Sequence, residues 1–167
     1  TRRSSDLQLM RYVDRNPDFA LRATAYTHAF DVLKAQHKLT AINAAIEVDL
    51  TGQINAEVAG GRYVGAVGGA TDFLRGARAS RGGLPIVALP ATVTDRGGMR
   101  SRIVSQLGGP TSTARADAGI IVTEFGIADL KGLCIRDRAL ALIKIAHPDF
   151  RDQIKEQVQR LGIVPRF

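Results

Sequence analysis

The sequence predicts an α/β domain built on an open sheet, mixed or largely parallel, flanked by helices. Short apolar runs at 84–90 and 119–123 have strand length and are bounded by Gly and Pro, as buried strands are. Segments with helical apolar spacing lie before and after these runs, the interleaving of an α/β layer structure. At 167 residues and 45% hydrophobic content, without a long linker, repeat or low-complexity tract, the chain suits one domain with a single core. Tryptophan is absent and aromatics are only 5%, so that core is aliphatic.

Leu7, Leu9, Met10 and Val13 give a short amphipathic helix after a Ser4-Ser5-Asp6 cap, packed on the body as an edge element. It stops at Asn16-Pro17, because proline lacks an amide and its ring obstructs the preceding turn. Residues 19–26 read as a strand and 29–36 as a second short helix. Alternation through 42–50, the flexible pair Thr51-Gly52 and the run 54–58 read as a hairpin. The glycine segment 65–69 introduces a helix over 71–79, with Leu74 and Ala77 on one face. The run 84–90 is a buried strand, and the Gly- and Arg-rich stretch 96–102 is a mobile loop beyond it. Strands follow at 103–107 and 119–123, then a short turn at 127–131. Helices over 136–146 and 150–161 are separated at Pro148-Asp149, and His147 reads as a C-terminal cap of the first.

A formal charge of +7 favours anionic partners, but the basic residues are spread along the chain, so a phosphorylated small molecule explains them as well as DNA does. Few aromatics argue against a single-strand binder, which needs stacking platforms. Cys134 is the sole cysteine, which excludes an internal disulfide and fits a reducing compartment, with the cytoplasm as the default. His28, His37 and His147 are far apart in sequence, so no metal is expected. No apolar run approaches the roughly 18 to 20 residues that cross a bilayer. The chain begins with Thr, close to a helix, which suggests a piece of something longer.

Gly65, Gly68 and Gly69 lie between an apolar run and a helix start. Glycine tolerates positive φ and close approach, and the first helical amides lack internal partners, so this junction can receive a phosphate or an oxyanion. The alternative is an ordinary tight turn. Arg75, Arg78 and Arg81 follow as phosphate contacts or as a solvated basic face. Neither a dinucleotide fingerprint nor a P-loop is present. Among the carboxylates, Asp72 suits a first helical turn. Glu124 ends a strand, where it either lines a cleft or accepts from a neighbouring loop. Glu47, Asp49 and Glu57 fall in the hairpin, and no Ser/His/Asp grouping or nucleophile elbow is visible.

Taken together, 41–53, 65–73, Ser101-Arg102-Ile103-Val104, 122–128 and 145–151 resemble the C-terminal domain of the acetyl-CoA hydrolase/transferase family, 4-hydroxybutyrate CoA-transferases included. The ordered blocks cover nearly the whole chain. The resemblance implies a CoA-transferase-like fold, two related α/β halves with an active site between them, and CoA or acyl-CoA as substrate, with no cofactor held permanently. It implies transfer of CoA between short carboxylic acids, acetate or 4-hydroxybutyrate, through a glutamate that forms an acyl-glutamyl anhydride and then a glutamyl-CoA thioester.

That nucleophile belongs to a segment upstream of the first helix, so a missing N-terminal domain is the expected partner and this piece alone is expected to be inactive. The resemblance makes Gly68 and Gly69 the oxyanion amides and Gly65, Gly68, Gly69 and Arg81 the CoA contacts. A homo-oligomer is left open, and no membrane partner is expected. Hydrolysis of acetyl-CoA is the alternative chemistry, and a basic nucleic-acid or partner-binding module is the alternative of another class.

Overall fold

The computed structural model describes residues 7–95 and 97–162. Along the chain run α1 (Leu7–Val13), α2 (Thr24–Thr27), α3 (Phe30–Ala35), β1 (Thr40–Ala44), β2 (Glu47–Asp49), β3 (Ile54–Asn55), β4 (Val58–Ala59), β5 (Arg62–Tyr63) and α4 (Ala70–Ala79). Then come β6 (Leu84–Ala88), β7 (Thr92–Asp95), β8 (Gly98–Ser101), β9 (Ile103–Val104), β10 (Ile120–Thr123), β11 (Gly126–Asp129), α5 (Ile135–Ile145) and α6 (Pro148–Arg160).

The principal sheet has the order β1-β6-β10-β11, with the first three strands parallel and β11 antiparallel to β10. It is the open mixed sheet that the sequence predicts. Parallel neighbours need a crossover, and α4 supplies the one from β1 to β6, packing on both strands. Register aligns Asn43, Val87, Ile121 and Ala128 across one face. Val87, Ile121 and Ala128 are buried there, in one core with Leu74 and Ala77 of α4, Leu142 of α5 and Val158 of α6. The other face carries Ile42, Ile86 and Ile120 in one row and Ala88, Val122 and Ile127 in the next. Ile42 is 68% and Ile127 71% exposed, so this apolar face is partly open.

A second sheet, β3-β2-β9, adds Val48, Ile54 and Ile103 to the same core. Hairpins β4–β5 and β7–β8 form two separate two-stranded sheets.

Several elements differ from the sequence reading. Residues 19–26 form no strand, because no neighbour pairs with them; Leu21 is 90% exposed and α2 begins at Thr24. The segment 42–50 divides at Ala45 between two sheets, so the hairpin is confined to β2 and β3, turning at Gly52 with φ +93. The stretch 96–102 is half of a hairpin instead of a loop, with Asp95 accepting from Gly97 N at 2.8 Å in its turn. Arg96 lies outside the described residues, as do Ser4-Ser5-Asp6. Residues 127–131 hold most of β11, a strand by virtue of its pairing with β10. The strand expected over 103–107 is only β9. His147 caps the following helix, its Nδ1 accepting from Asp149 N at 3.3 Å with Pro148 at the first turn. Helix α1 is present but buries none of its residues.

Candidate functional site

The crossover determines where the glycine segment lies. At the far end of α4, Ser80 Oγ accepts from Leu39 N at 3.1 Å and Arg81 O accepts from Lys38 N at 2.9 Å, which ties that end to the amino end of β1. The opposite end of α4, with residues 65–69 before it, therefore lies toward the carboxyl ends of β1 and β6. Open α/β sheets collect ligands on that side.

Within the segment, each glycine has a different role. Gly65 donates its amide to Glu57 O at 3.1 Å, beside Val64 N at 2.8 Å, so it offers no donor. Its contribution is clearance, because a Cβ there would lie 2.6 Å from Ala56 O. Gly68 has φ +57, a conformation that disfavours side chains, and the space a Cβ would enter is open. Gly69 is the N-cap of α4, and no side chain caps that helix. The amides of Ala66, Val67, Gly68 and Gly69 meet no acceptor among the described residues. Their donors and the positive end of the α4 dipole favour a negatively charged oxygen.

His28 belongs to this site, although the sequence reading considers it only as a metal ligand. Its ring packs so closely on Gly69 that a Cβ there would strike Nε2 and Cδ2. The ring also meets Phe73 edge-on at 5.0 Å, and Nδ1 lies 2.9 Å from Thr27 Oγ1. No local motif signals this contact, since α2 and α4 meet the loop from distant parts of the chain.

Asn55 braces the approach to the loop and is fully buried. Its Oδ1 accepts from Glu57 N and Val58 N, both at 3.0 Å, while Nδ2 donates to Val58 O at 2.8 Å. Ser112 Oγ donates to Glu57 Oε1 at 2.7 Å and accepts from Ala56 N at 2.9 Å. The backbone carbonyl that receives Gly65 is thus held from two sides.

The carboxylates do not converge on the loop. Asp49 accepts from Thr51 and Gln53 and closes the β2–β3 turn. Glu47 Oε2 accepts from Gly108 N at 2.8 Å. Glu124 Oε2 accepts from Ala91 N at 2.8 Å, the loop-bracing alternative open in the sequence. Glu124→Ala is expected to cost about 1–3 kcal/mol by stranding that amide, and Glu124→Gln under about 1 kcal/mol, as read from urea unfolding midpoints.

Arg75 pairs with Asp117 through two 2.8 Å bonds, which raise its pKa, and Arg78 donates to Ala116 O. Both tie α4 to the segment before β10. Arg81 is exposed, and its guanidinium has no hydrogen-bond partner among the described residues. Ten helical residues, about 15 Å, separate it from Gly69. Among the described residues no group of His, Cys, Asp and Glu is arranged to hold a metal ion. No helix there is long and apolar enough to cross a membrane.

This open mixed sheet with its flanking helices superposes on solved structures that include a CoA-transferase. RipA from Yersinia pestis matches with a TM-score of 0.85 and 38% identity, over 94% of this chain and 35% of that one. The 4-hydroxybutyrate CoA-transferase from Porphyromonas gingivalis matches with a TM-score of 0.74 and 36% identity, over 93% and 35%. The butyryl-CoA:acetate CoA-transferase of Anaerostipes caccae is 42% identical over 93% of this chain and 36% of its own length. The family model for the acetyl-CoA hydrolase/transferase C-terminal domain matches residues 6–158, and the chain belongs to that family. It spans about a third of the length of these curated relatives.

Proposed function

We propose that this chain is the C-terminal part of a longer, two-domain cytoplasmic CoA-transferase that moves CoA between short carboxylic acids such as acetate, butyrate or 4-hydroxybutyrate. The observation that carries the reading is the run of unpaired amides at 66–69 on the start of α4. In the reaction a glutamate carboxylate from the upstream domain adds to the thioester carbonyl, and the carbonyl oxygen takes the charge. The Gly68 and Gly69 amides donate to that oxygen, and Gly65 lets the loop lie close to the backbone behind it. Collapse of the adduct expels CoA thiolate and leaves an acyl-glutamyl anhydride. Thiolate then attacks the glutamyl carbonyl, giving glutamyl-CoA and the free acid. The same steps reversed with a second acid complete the transfer.

The upstream domain is also the proposed cover for the open sheet face around Ile42 and Ile127. Arg81 reaches the distal, phosphate-bearing part of an extended CoA. Arg81→Glu in the full-length enzyme is expected to raise KM for acyl-CoA about fivefold with little change in kcat, the size of one exposed charge contact. Rates with and without an acceptor carboxylate separate transfer from hydrolysis. The reading fails if the full-length protein turns over no acyl-CoA with any short acid.

A further inference from the structure

Arg138 lies in the opening turn of α5 and is only 9% exposed. Main-chain carbonyls hold its guanidinium: Nε donates to Leu133 O at 3.2 Å, and Nη1 to Arg115 O at 2.8 Å and Thr51 O at 3.3 Å. Carbonyls satisfy these N–H groups but leave the charge uncompensated, whereas buried charges are ordinarily paired. Among the described residues the wholly buried side-chain nitrogen without an acceptor is Arg102 Nε. Arg138 Nη2 meets no acceptor there either, yet it keeps contact with solvent.

Two more arginines meet the same stretch of chain. Arg78 donates to Ala116 O, the carbonyl next to the one that takes Arg138. Arg115 is exposed, and its guanidinium has no hydrogen-bond partner among the described residues. Burial, then the charges of Arg78 and Arg115, hold the Arg138 pKa below the ordinary guanidinium range, and no carboxylate acts on it in the opposite direction.

The neighbouring carboxylates are engaged elsewhere. Asp117 takes both of its 2.8 Å bonds from Arg75. Asp49 is bound by Thr51 and Gln53 in the β2–β3 turn. Asp137 accepts from Cys134 Sγ at 3.3 Å and lines the groove beside β11. Asp129 and Lys131, which offset each other in charge, share the wall of a cavity of about 180 Å³ with Arg78. Arg78, Arg115 and Arg138 are therefore left as three like charges without a counter-ion. That arrangement opposes folding by self-repulsion, and a bound anion relieves it. Guanidinium forks match phosphate oxygens, and three positive charges favour a dianion over a single carboxylate.

The cluster is at the other end of the domain from the glycine loop. Residues 115–117 precede β10, on the side of the amino ends of the parallel strands. Arg78 is nine helical residues, about 14 Å, from Gly69.

We propose that Arg78, Arg115 and Arg138 form a binding site for a phosphate dianion, with Arg138 as its fixed base and Arg78 and Arg115 contacting the ligand from the surface. The site goes beyond the transfer reaction proposed above and does not depend on it. Its occupant is a phosphate group, carried either by a free phosphate compound or by the ribose 3′-phosphate of CoA.

The test is calorimetric titration of the full-length protein with sodium phosphate at constant ionic strength and about pH 8, where phosphate is chiefly the dianion. The wild type is expected to bind saturably, and Arg115→Gln about fivefold more weakly. The double variant Arg78→Gln, Arg115→Gln binds more weakly still. Arg115 has no side-chain partner in the fold, so the single variant is expected to keep the wild-type urea midpoint, which separates lost binding from lost structure. Sulfate, also a tetrahedral dianion, is expected to compete, and acetate is not.

Two further titrations identify the source of the phosphate. Tighter binding of CoA than of dephospho-CoA, with the difference lost in Arg115→Gln, supports the site with the coenzyme as its occupant. Undiminished phosphate binding by protein saturated with CoA supports it with a separate phosphate compound. The proposal is overturned by phosphate affinity within about twofold of wild type in Arg115→Gln, by acetate competing as well as sulfate, or by no saturable phosphate binding in the wild type. An acidic side chain of the upstream part of the protein seated on the three arginines overturns it too. A protein that transfers no CoA yet binds phosphate through Arg115 removes the activity reading and keeps the site, and one that transfers CoA without binding phosphate removes the site alone.

Discussion

Gly68→Ala is expected to lower kcat of the full-length enzyme about a hundredfold while costing only about 1–2 kcal/mol of stability. The backbone at Gly68 has φ +57, so alanine is strained there although the space its Cβ would enter is open. Relief of that strain rotates the peptide units on either side and turns the Gly68 and Gly69 amides away from the proposed oxyanion position. A helix start that loses its donors by rotation loses transition-state stabilisation more than substrate affinity, so KM for acyl-CoA should change little. Gly132→Ala is the matched control: it also has positive φ, at +74, with open space, but lies before α5. Its expected result is a similar small loss of stability with kcat near wild type. Equal kcat for Gly68→Ala and Gly132→Ala would remove the loop from the mechanism.

Asn55→Leu is expected to destabilise the protein by about 3 kcal/mol, read as a fall in the urea midpoint at unchanged m-value. Leucine has a similar volume, so the cost is not a cavity. It comes from stranding Glu57 N, Val58 N and Val58 O, which all pair with the Asn55 amide. The same carboxamide sets the path of residues 57–58, and Glu57 O holds Val64 and Gly65. Transfer activity should therefore fall below what the unfolded fraction explains. Activity that tracks the folded fraction alone would separate this brace from the glycine loop.

The elements legible in the chain are those whose stability is local or whose burial is complete. Helices α4, α5 and α6 carry their apolar spacing and their Gly or Pro boundaries within themselves. Strand β6 and, up to its last residue Thr123, strand β10 are apolar because both lie between neighbours in the sheet. Strand β11 and the β7–β8 pair are different. Gly126–Asp129 and Thr92–Asp95 are short and mixed in character, and they are strands because a partner completes their hydrogen bonds. Residues 19–26 are the converse case, apolar enough for a strand but without a partner.

The candidate site divides along the same line. Glycine spacing before a helix is a property of consecutive residues, so the junction at 65–69 and the family resemblance could be read from the chain alone. Which of its amides remain unpaired could not, because Gly65 is engaged by Glu57 and the others are left free only by the route of β4 and β5. The packing of His28 on Gly69 and the unpartnered Nε of Arg102 likewise arise between distant segments. Backbone conformation and turn chemistry are short-range and are written in neighbouring residues. Solvent access and hydrogen-bond satisfaction depend on what the rest of the chain brings alongside, and they exist only once it has folded.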